Sequence, residues 1–525
     1  MAFDYVIVGA GSAGCVLAAR LTEDPGVNVL LLEAGPTDTK REIKIPIAFS
    51  RLFLSEVDWQ YYTAPEPHLD GREIFWPRGK TLGGCSSINA MIYMRGSPLD
   101  YDEWERLGNE GWSWDDVLPY FKKAERNERG PSDFHGADGP LNVTDLRYVN
   151  PLTRAWLAAA AESGLPANDD FNGPAQEGVG LLQVTQKNGA RFSAADAYLK
   201  PARRRRNLKV VTGAEVAKVL IEDGRATAVQ YRTDGATFTE AASSEVILAA
   251  GAVNSPKLLM LSGVGPGAHL AEHGISVVCE LPGVGRNLQD HLAVGVQYAS
   301  RLPVSLAASE SRRELVRWLI RRQGMLTSTV MEGNGFVRSR SELPAPDLQL
   351  AFGPALYSGD PTETVKDHGF STGVFLLRPK STGEIKLRSP DFRMDPVIRA
   401  NYLSDPGEED LGALIWGLKL CRKIVAGRAF DPYRGDELLP GAGVDDDEGW
   451  AAHVRAEGTT IYHPVGTCKM GSDRMAVVDD ELRVHGLRNL RVVDASIMPL
   501  IVRGNTNAPV IMVAEKAADL IKRRT

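Results

Sequence analysis

The stretch DYVIVGAGSAGCVLAARLTE, residues 4 to 23, changes its period in the middle. Val6 to Val8 form a continuous apolar run, the pattern of a strand buried on both faces, and Cys15 to Leu21 read as a helix. Between them GAGSAG fits G-x-G-x-x-G at Gly9, Gly11 and Gly14. A second buried strand, VNVLLLEAG (27 to 35), ends at Glu33, 19 residues beyond Gly14. This strand, turn, helix and strand make the unit of a dinucleotide site. Gly9 permits the tight turn, Gly11 lets backbone approach a pyrophosphate, and Gly14 lets the helix pack closely. The helix N-terminal amides and dipole then hold the diphosphate, and Glu33 accepts hydrogen bonds from a ribose diol. The glycines alone also describe an ordinary glycine-rich turn. The flanking strands and the acid at this distance argue for the nucleotide, without choosing FAD over NAD.

The same grammar returns late in the chain. NLKVVTG (207 to 213), SEVILAAGAVNSP (244 to 256) and NLRVVDASIMP (489 to 499) are β-branched runs ending in Gly or Asp turns. The nucleotide domain is therefore expected to be discontinuous, built from 1–155, 200–295 and 457–525. Between 296 and 456 the texture differs, with the amphipathic ESRRELVRWLIRRQ (310 to 323), alternation in GEIKLRS, and Pro/Gly/Asp-rich connections. We assign 156–199 and 296–456 to a second domain built on a mainly antiparallel sheet with helices.

Bulk composition narrows the functional classes. The 525 residues carry 60 basic and 67 acidic side chains, a net charge of -7, which gives no overall electrostatic footprint for nucleic acid or an anionic membrane. The run Arg203 to Arg206 reads as a solvated turn before a strand. Five widely spaced cysteines without CxxC spacing fit neither a disulfide framework nor a zinc site, so no metal and a reducing compartment are expected. The first residues carry no basic leader or cleavage pattern, and no stretch reaches 18 uninterrupted apolar residues, so the expected location is cytoplasmic, with no transmembrane segment.

A second glycine-rich segment, WPRGKTLGGCSSINAMIYMRG (76 to 96), places Gly83-Gly84 and three small residues where a flat group or phosphate could lie without side-chain collision. A flexible loop is its plainer reading. Among the nine histidines, His463 lies in TIYHPVGT, a loop of small residues that would hold an imidazole rigidly. Imidazole is the side chain that titrates near neutral pH, which suits it to taking a proton from a substrate. Asn507 supplies a donor and an acceptor that suit it to fixing a substrate oxygen. Asn505 fits the helix-capping role better, just ahead of Pro509 and IMVAEKAADLI.

GKTLGGCSSIN and GAVNSPKLLMLSGVG (251 to 265) closely resemble the two signature segments of the glucose-methanol-choline (GMC) flavoprotein oxidoreductases. LPGVGRNLQDH (281 to 291), TIYHPVGTCKMG (460 to 471) and the ending VVDASIMPLIVRGNTNAPVIMVAEKAADLI (492 to 521) extend the resemblance across the chain in family order. It implies an α/β fold, a Rossmann-like FAD-binding domain with a second α+β substrate domain, and oxidation of an alcohol at the flavin N5. By resemblance Gly9, Gly11, Gly14 and Glu33 bind the ADP moiety. Leu82, Gly84, Asn89 and Ala90 border flavin and pyrophosphate, Val216 contacts adenine, and Asp494, Ala495, Asn507 and Pro509 close on the isoalloxazine. His463 and Asn507 match the catalytic pair.

Some members hold FAD through a histidine where this chain has Ile88, so the FAD here is expected to be non-covalent. Cys85 stands where many members have Ser; a reactive thiol and a small buried filler are its two readings. Glu332, in TSTVMEGNGFVRS, resembles an acid near the substrate ammonium of choline-oxidising relatives, and Tyr462 and Trp416 are candidate pocket aromatics. The expected substrate is a primary alcohol, aromatic, furanic or aliphatic, with electrons passing to O2 or a quinone-type acceptor. A choline-type enzyme, an FAD-bearing hydroxynitrile lyase, and a nicotinamide or sensor protein are the alternatives. Oligomeric state is open.

Overall fold

The computed structural model describes residues 3–358 and 365–523. Strand Phe3–Val8 lies parallel to Val29–Leu32 on one side and to the end of Ala236–Leu248 on the other, with Val8 opposite both Leu32 and Leu248. Leu208–Val211 and Leu490–Val492 extend this parallel core at its two flanks. The apolar runs are continuous because helices cover both faces. Residues 6 to 8 and 29 to 32 are all buried. The first half of Ala236–Leu248 leaves the parallel core and turns antiparallel against Arg225–Thr233, which pairs in turn with Glu215–Glu222. One long strand thus joins a nucleotide-binding sheet to a meander.

The second unit is a seven-stranded antiparallel sheet. Its order runs Arg434–Leu439, Leu292–Ser300, Gly369–Leu376, Leu348–Gly353, Gly333–Val337 and Gly178–Leu181, with Thr459–Thr460 also paired to Leu292–Ser300. Helix Glu409–Val425 packs on it so closely that a Cβ on Gly417 would meet the Val374 side chain at 2.4 Å. Trp156, on helix Pro151–Glu162, stacks on Phe352 and donates its indole N–H to the Thr372 hydroxyl at 3.2 Å.

The fold class matches the expectation from sequence, and three expected strands fall at 208–211, 236–248 and 490–492. The domain edges drawn at 155/156 and 295/296 fall inside helix Pro151–Glu162 and strand Leu292–Ser300, elements that run on past each edge. The last helix, Asn507–Lys522, returns to helix Ser12–Leu21, where Arg20 grips Glu515 through two hydrogen bonds of 2.8 Å. The first and last helices are therefore locked together beside the first glycine turn.

Candidate active site

The glycine turn works by close approach. Gly9 has φ +100°, and a Cβ there would lie 2.5 Å from the Ala249 carbonyl oxygen. A Cβ on Gly14 would lie 1.8 Å from the Gly9 carbonyl oxygen, so only glycine lets the helix start against the turn. Gly84, at φ +51°, approaches from the second glycine-rich segment, where an added Cβ would sit 2.7 Å from the Gly11 Cα. The Gly83 N–H donates to the Ala10 carbonyl at 2.7 Å and fixes the two loops together.

These loops form one end of a cavity of about 2160 Å³. Sites for drug-sized ligands span about 300–1,000 Å³, so this one accommodates a dinucleotide and a substrate together. Gly9, Gly11, Glu33, Gly84, Asn89, Ala90 and Val216 line it, as do Asp494, Ala495, Asn507, His463 and Tyr462. Gly14, Leu82 and Pro509 lie behind this lining and act through packing.

Glu33 is buried and accepts from the Ala10 N–H at 2.8 Å and the Gly35 N–H at 2.9 Å. Burial nevertheless pushes its carboxyl up to about 7. Asp494 braces the opposite wall, accepting from the Gly251 N–H at 2.9 Å and the Ser255 hydroxyl at 2.5 Å. Asn89 receives Arg191 Nη1 at 2.8 Å through its side-chain oxygen. Cys85 accepts a long contact, 3.3 Å, from the Gly79 N–H and lines the cavity.

The His463 imidazole lines the same cavity. Its backbone N–H donates to Asp290 at 2.8 Å, and Asp290 is held by the Thr460 and Tyr402 hydroxyls at 2.5 Å each. The Arg78 guanidinium donates to the Tyr462 carbonyl at 2.6 Å and holds that residue at φ +70°, a conformation costly for a bulky side chain. Asn505 Nδ2 stands 3.1 Å from His463 Nε2, and His291 Nδ1 stands 3.0 Å from His463 Nδ1. With the Asn505 amide donating, Nε2 carries the lone pair and faces the cavity, so His463 Nδ1–H donates to His291.

Burial lowers His463 well below the usual imidazole value, and neighbouring His291 and Arg78 add to the effect. Burial likewise lowers His291 to about 3. Both rings are neutral at physiological pH. Among the described residues, Asn505 Oδ1 is buried without a hydrogen-bond partner.

Three expectations are corrected here. The sequence reading pairs His463 with Asn507, which it has orient the substrate oxygen, and gives a capping role to Asn505. The helix instead begins at Asn507, whose side-chain oxygen accepts from the Ser12 hydroxyl at 2.7 Å, while Asn505 lies in the loop before it, against His463. Glu332 does not line the cavity. Its fully buried carboxylate accepts from the Asn150 N–H (2.7 Å), the Thr153 hydroxyl (2.7 Å) and the Ser328 hydroxyl (2.6 Å), and so anchors the start of helix Pro151–Glu162. Trp416 projects from helix Glu409–Val425 towards solvent, away from the cavity. Tyr462 stays at the site, its ring edge-on to Phe53. His291, which the sequence reading passed over, is the added member.

The cavity fits FAD on its own geometry: a glycine cradle that any Cβ would fill, a buried acid at the end of the second strand, and a partnerless amide oxygen beside the imidazole. Models of the GMC oxidoreductase family match residues 3–293 and 379–514. The chain is a GMC oxidoreductase. It is similar to an alcohol dehydrogenase [acceptor] of Pseudomonas putida, 48% identical over 531 residues, covering 99% of this chain and 96% of the relative. Mitochondrial choline dehydrogenase of Mus musculus is 47% identical, with coverages of 99% and 89%. Among solved structures, pyridoxine 4-oxidase from Mesorbium loti has a TM-score of 0.89 at 34% identity and 98% coverage of both chains. An FAD-dependent oxidoreductase from Chaetomium thermophilum has a TM-score of 0.90 at 28% identity, with 99% coverage of both chains. As a member of this family the GMC oxidoreductase described here is an FAD-dependent alcohol oxidoreductase.

Proposed function

We propose that this enzyme oxidises an uncharged primary alcohol to the aldehyde, with His463 as base. The alcohol hydroxyl takes the place of the Asn505 amide at His463 Nε2, which accepts its proton, and Asn505 Nδ2 donates instead to the alcohol oxygen as charge develops on it. His291 holds the ring so that its basic nitrogen points into the cavity. When bound, FAD supplies the two-electron hydride acceptor, and Asn507 with Ser12 closes the wall beside it. Electrons leave to O2 or a quinone-type acceptor. Ile88, packed among Ile43, Leu52 and Val57, offers no nucleophile for a covalent bond, which supports non-covalent FAD.

The observation that carries the substrate class is the apolar wall near the base. Ala293, Ala351 and Phe375 form a cluster with Met331 and Ile461, and all five line the cavity. Among the described residues, the strands of the antiparallel sheet bring no carboxylate to this lining, and Glu332 is spent on other partners. A quaternary ammonium would lose its hydration there without a countercharge from that wall. The test is anaerobic flavin reduction with benzyl alcohol, a medium-chain alkanol and choline, followed by reoxidation with air or a quinone analogue. Fast bleaching by the neutral alcohols supports the reading. Preference for choline, or no bleaching by any alcohol, overturns it. Acid precipitation that leaves the flavin bound to protein overturns the non-covalent assignment.

A further inference from the structure

The segment ESRRELVRWLIRRQ is not used by the chemistry. It forms helix Arg312–Arg321, held to the body by one face only. On that face the Trp318 indole donates to the Gly189 carbonyl at 2.9 Å, Glu314 accepts from the Met325 N–H at 2.7 Å, and Arg322 stacks over Trp318. The opposite face is apolar. Leu315, Val316, Leu319 and Ile320 are 44%, 52%, 57% and 75% exposed, and their spacing makes one continuous stripe. Ile320 is the most exposed large apolar side chain among the described residues. A helix on the surface of a protein that meets only water carries polar residues there.

The edge of the stripe is basic. Arg313, Arg317 and Arg321 follow one another at intervals of four along it, and Arg312 stands at its start. Arg317 reaches Glu314 at 3.5 Å, whereas Arg312, Arg313 and Arg321 make no ion pair among the described residues. In a chain of net charge -7, this is a local reversal of sign. A second copy of the chain set on this face about a twofold axis would oppose its own row of arginines to an identical row, with no acid on the exposed edge to answer it. An anionic lipid surface answers both features, taking the stripe into the acyl boundary and the arginines at the phosphates.

The stripe is also continuous with the active-site cavity. Leu315 belongs to both, and the preceding turn Leu306–Glu310 joins them, with Leu306 lining the cavity. Tyr357 and Leu438, both exposed, add to the apolar lining, and Tyr357 is tied by its backbone to the Gln297 side chain. We propose that helix Arg312–Arg321 docks this enzyme on an anionic membrane surface with the mouth of the cavity facing the lipid, from which lipophilic alcohol or acceptor would be drawn. The docking does not depend on the substrate reading above, because it is measured without turnover.

The experiment is cosedimentation of the FAD-loaded enzyme with vesicles of phosphatidylcholine containing phosphatidylglycerol, and with vesicles of phosphatidylcholine alone. The expected result is binding to the anionic vesicles that weakens as salt rises. Leu319→Ser with Ile320→Ser should lower the partition coefficient about a hundredfold, from two lost apolar burials. Arg313→Gln with Arg321→Gln should lower it roughly twenty-five-fold, about fivefold per arginine, and only on anionic lipid. Each variant should keep its flavin content and its turnover of a water-soluble alcohol. Absence of sedimentation with anionic vesicles, or equal sedimentation of parent and variants, overturns the proposal. So does a concentration-dependent dimer abolished by the same serine substitutions, which would show that a second copy covers the face.

Discussion

Two asparagines two residues apart have different tasks, and single substitutions separate them. Asn505 donates towards His463 Nε2 at 3.1 Å from a loop, and its side-chain oxygen is buried and partnerless. Removing one preorganised donor from a developing oxyanion costs about 2.7–4 kcal/mol, a factor of roughly 10²–10³ in rate. Asn505→Ala should therefore slow anaerobic flavin reduction by about that factor while FAD stays bound. Asn507 instead accepts from the Ser12 hydroxyl at 2.7 Å across the junction of the first and last helices. Losing one such bond costs about 0.5–1.5 kcal/mol of stability. Asn507→Ala should lower the thermal midpoint and weaken FAD retention, with the reduction rate of the loaded enzyme falling less than about tenfold. Stopped-flow reduction at 450 nm, roughly the flavin absorption band, with flavin content measured in parallel, reads both quantities. The reverse pattern, with Asn507→Ala slow and fully loaded and Asn505→Ala fast, would refute the assignment drawn from the geometry.

Other substitutions test the neighbouring parts. His463→Ala should bind FAD and reduce it at least about a hundredfold more slowly, the contribution of a general base. Because burial, His291 and Arg78 all lower its value, the base is free at neutral pH and protonates only in acid. In the parent, kcat/KM should stay level from pH 8 down to about 6, and a fall centred near 7 would contradict this. His135 makes a second pH test: burial lowers it, but hydrogen bonds to Asp170 at 2.7 Å and Glu125 at 3.0 Å outweigh burial and hold it up at about 9. A raised folded value gives stability that is complete below about pH 6.5 and is lost as pH rises through 9, about 2 kcal/mol between pH 7.5 and 9.5. Urea midpoints over that window should fall in the parent and stay level in His135→Gln. Glu332→Ala strands the Asn150, Thr153 and Ser328 donors, so it should cost about 3 kcal/mol in urea unfolding with alcohol KM unchanged. A raised KM at unchanged stability would return Glu332 to the substrate.

The nucleotide half was legible because its determinants are local. A buried strand, three glycines and an acid lie within residues 5 to 33, and each is fixed by sterics over short distances. His291 was hidden because only long-range pairing identifies it. Leu292 stands opposite Thr460, and the Ile461 N–H donates to the His291 carbonyl at 3.2 Å, a register that local sequence does not display. Glu332 misled for a related reason. In extended chain successive side chains point to opposite faces, so with Met331 turned to the cavity Glu332 turns away from it. For the asparagines the error lay in where the helix begins. A start at Asn507 moves the capping position to Thr506 and leaves Asn505 in the loop.

In the proposed mechanism the ring that takes the proton is the one least able to keep it. Burial, His291 and Arg78 all oppose a positive charge on His463, and His291 cannot accept that charge, since its own value lies near 3. His463 therefore stays free until an oxyanion forms beside it. Opposite charges about 4 Å apart attract by roughly 4 kcal/mol at an effective dielectric constant of about 20, enough to move the proton equilibrium by about three units. That attraction lasts only while the oxygen is negative. Once the C–H hydride has left, the oxygen is a neutral carbonyl, the imidazolium loses its counterion, and its proton must go. On this proposal desolvation serves both ends of the turnover, keeping the base unprotonated before the alcohol arrives and expelling the proton after the carbonyl product forms.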